Sequence, residues 1–144
     1  MKVLNEFRMT VESKSVNESF VRGTVAAFAA QLDPTLEEIA DIKTAVSEAV
    51  TNCIVHAYAH CVGKIYIYTA ICENGVVKIK IRDKGCGIEN IQQARTPLFT
   101  TAGGERAGLG FAVMESFTDK VKVVSKVGKG TTVTLIKSVK GKNA

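Results

Sequence analysis

Along the first sixty residues, the pattern of hydrophobic and polar positions predicts a strand followed by two helices. Apolar and polar side chains first alternate near the N-terminus, which is typical of a half-buried strand. From residue 17 the apolar side chains recur at helical spacing, until Pro34 ends that helix. Thr35 and Glu38 have the spacing of a capping box, so we expect a second helix to begin there and to run to about residue 60. The buried stripes of the two helices are expected to include Phe20 and Leu36.

Beyond the second helix the period of the pattern changes to two, and strands are predicted. Two alternating runs flank an Asn-Gly pair at residues 74–75, which is a strong local signal for a β-hairpin. A third helix is expected over residues 110–119, with Phe117 facing inward, and a second hairpin over residues 120–138. This order of elements predicts one α+β domain over residues 1–144, in which helices cover one face of a mixed, mostly antiparallel sheet.

Composition narrows the class of protein. The chain has 144 residues, of which 46% are hydrophobic and 23% are charged, and a domain of this size buries enough surface to fold without disulfides. No apolar run approaches the roughly 18 residues that a membrane span needs. The first ten residues include Glu6 and Arg8 and do not have the pattern of a secretion signal. We therefore expect a cytoplasmic protein with no membrane partner.

Charge is distributed unevenly between the two halves of the chain. Residues 1–72 carry a net charge of −2 and residues 73–144 a net charge of +7, so the C-terminal half favours an anionic ligand. Lys78, Lys80 and Arg82 alternate along a predicted strand, which is typical of a solvated sheet face. Because the sequence has neither an aromatic RNA-binding motif nor a helix-turn-helix pattern, we expect no direct contact with nucleic acid.

One line of polar residues on the second helix is a candidate site. Glu48, Asn52 and His56 follow one another at intervals of four residues, so they are expected to share a face. Asparagine is a weak helix former, and its amide oxygen can ligate a hard cation with a carboxylate one turn away. A solvent-facing row of polar residues has the same pattern, so both interpretations stay open for this line alone.

A second candidate lies where the first hairpin ends. Asp83 is followed by Gly85 and Gly87, a pattern that a strand-to-loop turn alone would explain. A carboxylate in this position can also accept a hydrogen bond from the amino group of adenine, and it would repel the oxygen of guanine. In that interpretation the glycines allow a flat ring to approach.

The third candidate is a glycine-rich segment over residues 100–110, before the third helix. Its backbone N–H groups can converge on an anion, to which a helix N-terminus adds partial positive charge. Arg106 supplies further donors for phosphate oxygens. The segment matches neither a Walker A loop nor the dinucleotide-binding fingerprint, so it predicts phosphate binding of another kind.

Together these segments resemble the motif set of the GHKL ATPases, which include gyrase, heat-shock chaperones, histidine kinases and serine-kinase anti-sigma factors. The motifs, in chain order, are Glu48-x-x-x-Asn52-x-x-x-His56, Asp83-x-Gly85-x-Gly87, Gly104-x-x-x-Gly108-Leu109-Gly110 and Gly130-Thr131-Thr132. The resemblance implies the two-layer α/β sandwich of the Bergerat type, with ATP and Mg²⁺ as cofactors.

Over nearly its whole length the chain resembles one branch of this group, the anti-sigma F family of spore-forming bacteria. The segments that carry this resemblance are residues 17–20, 25–28, 31–34, 46–52 and 97–101. It implies two activities. The first is binding of a sigma factor away from RNA polymerase, and the second is phosphorylation of a serine on an anti-anti-sigma partner with ATP. It also implies a homodimer, in which the edge of the N-terminal strand could pair.

The same resemblance implies a role for each matching residue. Glu48 corresponds to the general base toward the serine hydroxyl and Asn52 to the Mg²⁺ ligand. Asp83 corresponds to the acceptor for the adenine amine, assisted by Thr131, and Arg22 to a contact with the sigma factor or its competitor. Residues 94–107 correspond to a lid over the nucleotide. The other implied nucleotide-binding residues are Gly85, Gly87, Thr100, Thr101, Arg106, Gly108, Leu109 and Gly110.

Two other interpretations of the sequence stay open. A serine-kinase anti-sigma factor of the general-stress branch has the same nucleotide motifs and differs in the sigma factor that it serves. A binding module could use ATP as a gate without transferring its phosphate, although such a module has no need of Glu48.

Overall fold

A computed structural model describes residues 1–91 and 106–142, with the backbone alone for residues 106–109. Its helices and strands are, in chain order, β1 Val3–Glu12, α1 Asn17–Ala29, α2 Leu36–Asn52, β2 Lys64–Cys72, β3 Val76–Asp83, α3 Arg106–Phe117, β4 Lys120–Lys126 and β5 Gly130–Ser138. A π-helical turn, Cys53–Ala57, continues α2. Within these ranges no helix is both long enough and apolar enough to cross a membrane.

The strands form one sheet with the order β1-β2-β3-β5-β4. Every pairing between described strands is antiparallel, so the expectation of a mixed sheet is corrected to an antiparallel one. The predicted Asn-Gly turn joins β2 to β3, with Asn74 and Gly75 both at positive φ. The register between β3 and β5 places Asp83 directly opposite Thr131.

The helices cover one face of the sheet, as predicted. Period-two alternation in β2 directs its isoleucines toward α1 and α2 and its tyrosines to the other face. On that open face Arg8 lies 4.6 Å from the ring centre of Tyr68, and Arg82 lies 5.2 Å from that of Tyr66. The largest fully buried side chains of the core are Ile42, Ile65, Ile67, Ile79, Ile81, Met114 and Leu135.

Three hydrophobic residues expected in the core are exposed. Phe20 is 56% exposed, Leu36 is 86% exposed and Phe117 is 36% exposed. Each lies in the first or last turn of its helix. Helical periodicity predicts the direction of a side chain, but a neighbouring element must extend far enough to cover it.

Candidate functional site

The end of α2 supplies two site residues. Glu48 and Asn52 lie one turn apart in regular α-helix, so their side chains lie on the same side of α2. The second helix was expected to continue to about residue 60, but α2 ends at Asn52 and gives way to the π turn. The third residue of the predicted polar line, His56, belongs to this π turn and not to regular α-helix. Such turns are rare overall and frequent at functional sites.

Gly110 brings α3 against this side of α2. A β-carbon at Gly110 would lie 3.2 Å from Asn52 Oδ1 and 3.3 Å from Glu48 Oε2, closer than the optimal separation of non-bonded atoms. A glycine therefore allows the two helices to approach this closely. We call Glu48, Asn52 and Gly110 the amide end of the site.

The amide of Asn52 is the central polar group of the amide end. Its Nδ2 atom is buried and has no hydrogen-bond partner among the described residues. A buried N–H group without a partner costs about 1–3 kcal/mol, and native proteins rarely keep one unless a ligand or water completes it. The N–H group suits a phosphate oxygen, and the Oδ1 atom of the same amide suits Mg²⁺, which needs few protein ligands when phosphates and water supply the others.

Asp83, at the end of β3, forms the second polar centre. Only 5% of this residue is exposed. Its Oδ1 atom accepts from the backbone N–H groups of Gly85 at 2.9 Å and Thr131 at 3.2 Å. Its Oδ2 atom accepts from the thiol of Cys53, with Sγ at 3.6 Å. We call these four residues the carboxylate end of the site.

The charge state of Asp83 reflects two opposing effects. Burial raises the pKa of the Asp83 carboxyl, because a low-dielectric environment disfavours the ionised form. The backbone N–H groups of Gly85 and Thr131 and the Cys53 thiol lower it, because they donate to the ionised form. The net result is a raised pKa for Asp83, with the hydrogen bonds from the chain opposing the effect of burial.

The glycines after Asp83 allow the following loop to pack. A β-carbon at Gly85 would lie 2.6 Å from Ala57 Cβ, in the π turn. Gly87 has a φ of 79°, in the region that favours glycine, and a β-carbon there would lie 2.9 Å from Val127 Cα. The space beside both glycines is therefore filled by the chain, and they shape the site by letting the loop contact the π turn and the β4–β5 turn.

Three residues of this region were not predicted as site residues. The thiol of Cys53 donates a hydrogen bond to Asp83. The hydroxyl oxygen of Tyr58 accepts a hydrogen bond from the backbone N–H of Lys84, the residue after Asp83, at 2.7 Å. Ser125 Oγ lies 2.7 Å from Thr131 Oγ1. The only sequence signal for any of them is the position of Cys53 immediately after Asn52.

The π turn joins the two ends. Asn52 is the last residue of α2 and belongs to the amide end, whereas the next residue, Cys53, belongs to the carboxylate end. The side chain of Cys53 lies in the hydrophobic core. The two ends of the site are therefore connected through consecutive residues of a helical segment and not through a loop.

Arg22 lies on α1 beside α2. Its guanidinium donates to Ser47 Oγ at 3.0 Å and lies 3.5 Å from the carboxylate of Glu18. The bond to Ser47 attaches Arg22 to the turn of α2 that contains Glu48, and the Arg22 side chain is 38% exposed.

Several predicted site residues lie wholly or partly outside the described chain. Thr100 and Thr101 fall between residues 91 and 106, as does the predicted lid at 94–107 apart from its last two residues. The backbone alone is described for Arg106, Gly108 and Leu109. Because α3 begins at Arg106 and not at residue 110, the last two glycines of the predicted loop belong to the helix.

Sequence comparisons identify a family model and relatives to which the chain is similar. The family model for the histidine kinase-like ATPase domain matches residues 11–137, a range that contains both ends of the site. The chain is 55% identical to the anti-sigma F factor of Caldanaerobacter subterraneus subsp. tengcongensis over 99% of each chain. It is 52% identical to the anti-sigma F factor of Geobacillus thermodenitrificans, over 94% of this chain and 93% of that one.

Solved structures share the fold. The RsbU and RsbW domains of a Mycobacterium tuberculosis protein match with a TM-score of 0.69 at 23% identity, over 94% of this chain and 32% of that one. The histidine kinase domain of a blue-light activated histidine kinase from Erythrobacter litoralis matches with a TM-score of 0.58 at 18% identity, over 85% of this chain and 61% of that one. At these identities the likeness concerns the fold alone. Together with the match to the family model, it confirms the predicted two-layer sandwich of the GHKL type.

Proposed function

Since the chain belongs to the anti-sigma F factor family and contains a histidine kinase-like ATPase domain, we propose that it binds a sporulation sigma factor and uses Mg-ATP to phosphorylate a serine on an anti-anti-sigma protein. The observation that carries this proposal is a buried carboxylate and a buried amide N–H group without a partner among the described residues, connected by one π turn. The first suits an adenine amine and the second suits phosphate oxygens.

Adenine recognition is assigned to the carboxylate end. A buried carboxylate with protein donors on both oxygens accepts one more N–H group, which adenine offers at its exocyclic amine. The hydroxyl of Thr131, paired with Ser125, can take part through a bridging water.

Phosphate binding is assigned to the amide end. The Nδ2 atom of Asn52 donates to a phosphate oxygen, and the glycine at residue 110 lets α3 lie close to Asn52. Asn52 Oδ1 is the proposed ligand of this chain for Mg²⁺. When bound, Mg²⁺ supplies charge neutralisation at the phosphates.

Glu48 is the proposed general base. In the transfer, the serine oxygen forms a bond to the γ-phosphorus while the bond between that phosphorus and the oxygen of ADP breaks. The serine proton passes to the Glu48 carboxylate, which lies on the side of α2 that faces Gly110. Phosphoryl transfer depends mainly on positioning of the reacting groups and on electrostatic stabilisation. Glu48 and Asn52, in the last turns of α2, are placed to contribute to both.

The proposed partner surface lies on α1. The side chain of Arg22 is 38% exposed, and Phe20, in the turn before it, is 56% exposed. An exposed aromatic residue beside an arginine is the composition typical of binding hot spots. We assign this surface to the sigma factor or the anti-anti-sigma protein, and because sigma factors act on RNA polymerase we assign the protein to the cytoplasm.

The homodimer is assigned to the edge of the sheet. β1 is the outermost strand on its side of the described sheet, so its outer backbone groups are available for pairing. The proposed lid, residues 94–107, would order around the γ-phosphate and so make partner preference depend on the nucleotide.

The test is phosphate transfer, measured by intact mass. The protein is incubated with Mg-ATP and the candidate anti-anti-sigma protein, beside Glu48→Gln and a control, Glu37→Gln. Glu37 is an exposed carboxylate on the same helix. We expect one added phosphate with the wild type and the control, and none with Glu48→Gln although ATP still binds.

The other outcomes separate the alternatives. ATP binding without transfer by the wild type would make the protein a nucleotide-gated binding module. Transfer that Glu48→Gln leaves unchanged would remove Glu48 from the reaction. Transfer only to the anti-anti-sigma protein of a general-stress pathway would assign the chain to that branch.

A further inference from the structure

The Asp83 carboxylate keeps a single open acceptor position. A carboxylate offers about four lone-pair positions, two on each oxygen. Two backbone N–H groups, those of Gly85 and Thr131, bond Oδ1, and the Cys53 thiol bonds Oδ2. Among the described residues, the donors to this carboxylate therefore leave one position, on Oδ2.

Cys53 is held in place by the turn that it begins. It is the first residue of the π turn and is only 3% exposed. Its thiol lies beside the carboxylate and donates to Oδ2, with Sγ at 3.6 Å.

We propose that Cys53 is a positioning residue for adenine recognition. By donating to Oδ2 it restrains the plane of the Asp83 carboxylate and leaves one acceptor position for the ligand. That position selects a purine with an amino group at carbon 6 against one with an oxygen there. This inference rests on the proposed binding of nucleotide at Asp83, and it gives Cys53 no contact with the nucleotide itself.

Substitution by alanine and by serine tests this role in opposite directions. Cys53→Ala removes the donor and leaves nothing else at residue 53 to bond Oδ2. Cys53→Ser keeps a donor at nearly the same position, so it is the conservative rescue. The matched control is Cys72→Ala, because Cys72 is also a buried free cysteine but lies at the far end of β2 and pairs with Val76.

The experiment measures equilibrium binding of two nucleotides to the full chain. One is ATP, and the other is purine riboside triphosphate, which lacks the amino group at carbon 6. We expect Cys53→Ala to weaken ATP binding about tenfold. This is about the affinity that one hydrogen bond to a charged group contributes. The same variant should weaken binding of the analogue less than about twofold. Cys53→Ser and Cys72→Ala should bind ATP within about threefold of the wild type.

A second readout follows the acid limb of ATP binding. Because the thiol donates to the ionised carboxylate, its removal disfavours that form and raises the pKa of Asp83 further. Loss of ATP binding on acidification should therefore begin at a higher pH in Cys53→Ala than in the wild type or Cys72→Ala. Tyr58 also interacts electrostatically with Asp83 and Cys53. Burial raises the pKa of its hydroxyl above the usual value of 10, so Tyr58 stays neutral over this range and does not produce the shift.

Three results would overturn the inference. If Cys53→Ala weakens ATP and the analogue equally, Cys53 only supports the fold, and thermal unfolding of each variant reports that loss directly. If it weakens neither, the thiol has no role in recognition. If the wild type binds neither nucleotide, the proposed function fails and this inference fails with it.

Discussion

The two ends of the site differ in how far the chain satisfies its own polar groups. At the carboxylate end, Asp83 accepts three hydrogen bonds from the protein. At the amide end, Asn52 Nδ2 is buried without a partner among the described residues. The hydrogen bonds of the carboxylate end therefore form without a ligand. The unpaired N–H group of the amide end lowers the stability of the free protein, and a bound ligand that accepts from it would remove this loss. This difference predicts that substitutions at the two ends change stability in opposite directions.

Asp83→Asn gives the largest expected effect. In one orientation, the N–H groups of the new amide face the backbone N–H groups of Gly85 and Thr131, so donors oppose donors. In the other orientation, the amide oxygen accepts from those groups, but a donor replaces the acceptor Oδ2. We expect ATP binding to weaken more than about a hundredfold and the free energy of unfolding to fall by about 2 kcal/mol. Calorimetry and denaturant unfolding measure the two quantities.

The control for this variant is Asp33→Asn. Asp33 forms an exposed ion pair with Lys142 at 3.4 Å, and its φ of 51° suits asparagine. Asp33→Asn should leave ATP binding unchanged and alter the free energy of unfolding by less than about 0.5 kcal/mol. A stability of Asp83→Asn equal to that of the wild type would contradict the view that the carboxylate end is assembled by its own hydrogen bonds.

Gly110→Ala is expected to act at the amide end alone. Its β-carbon would lie 3.2 Å from Asn52 Oδ1, so α2 and α3 must separate or the amide must turn. We expect ATP affinity to fall about tenfold and adenosine affinity to stay within about twofold, since adenosine carries no phosphates.

Gly23→Ala is the matched helical glycine. Nothing lies within 4 Å of a β-carbon at Gly23, so this variant should raise the free energy of unfolding by about 0.5–1 kcal/mol and leave both affinities unchanged. Equal losses for ATP and adenosine in Gly110→Ala would show that the two ends are not separable.

Asn52→Ala is expected to stabilise the protein without ligand while weakening Mg-ATP binding. Removal of an unsatisfied buried donor should raise the free energy of unfolding by about 1 kcal/mol. Thr69→Val is the matched control, because Thr69 Oγ1 is also buried without a partner in the described chain but lies in β2. It should stabilise similarly and leave binding intact. If Asn52→Ala instead lowers the free energy of unfolding, Asn52 Nδ2 has a hydrogen-bond partner in the free protein and the prediction is wrong.

The smallest expected effect concerns pH and the turn between the two ends. Burial lowers the pKa of His56 below its usual value of 6.5. The unfolded chain therefore binds more protons than the folded one just below pH 6.5, and stability falls as the pH decreases through that range. His56→Gln should reduce the slope of melting temperature against pH between about pH 5 and 7, whereas His60→Gln, at an exposed residue, should keep it. Identical slopes in wild type and His56→Gln would refute the assignment.

Local patterns predicted much of this architecture from the sequence. The Thr35–Glu38 capping box is present, with Glu38 N–H 3.1 Å from Thr35 Oγ1. The hairpin turn at residues 74–75 is also present. Both signals depend on residues a few positions apart, where the sequence alone specifies the geometry. The same holds for Glu48 and Asn52, which share one helical side.

The interpretation was wrong where an outcome depended on a distant element. Phe20 and Leu36 have the right helical phase for burial but are exposed. His56 has the spacing of the Glu48–Asn52 line, but the π turn removes it from regular helix. Periodicity cannot predict either result, because it contains no information on which neighbour covers a helix end.

By itself, the sequence determined the type and order of the elements and the residue types needed at each end of the site. Tertiary structure alone decided which of those residues meet. The thiol of Cys53 bonds a carboxylate 30 residues away, and Thr131 reaches the same carboxylate from 48 residues away through the register of β3 and β5. Side-chain periodicity is a local property, whereas these contacts exist only once helices and strands have packed against one core.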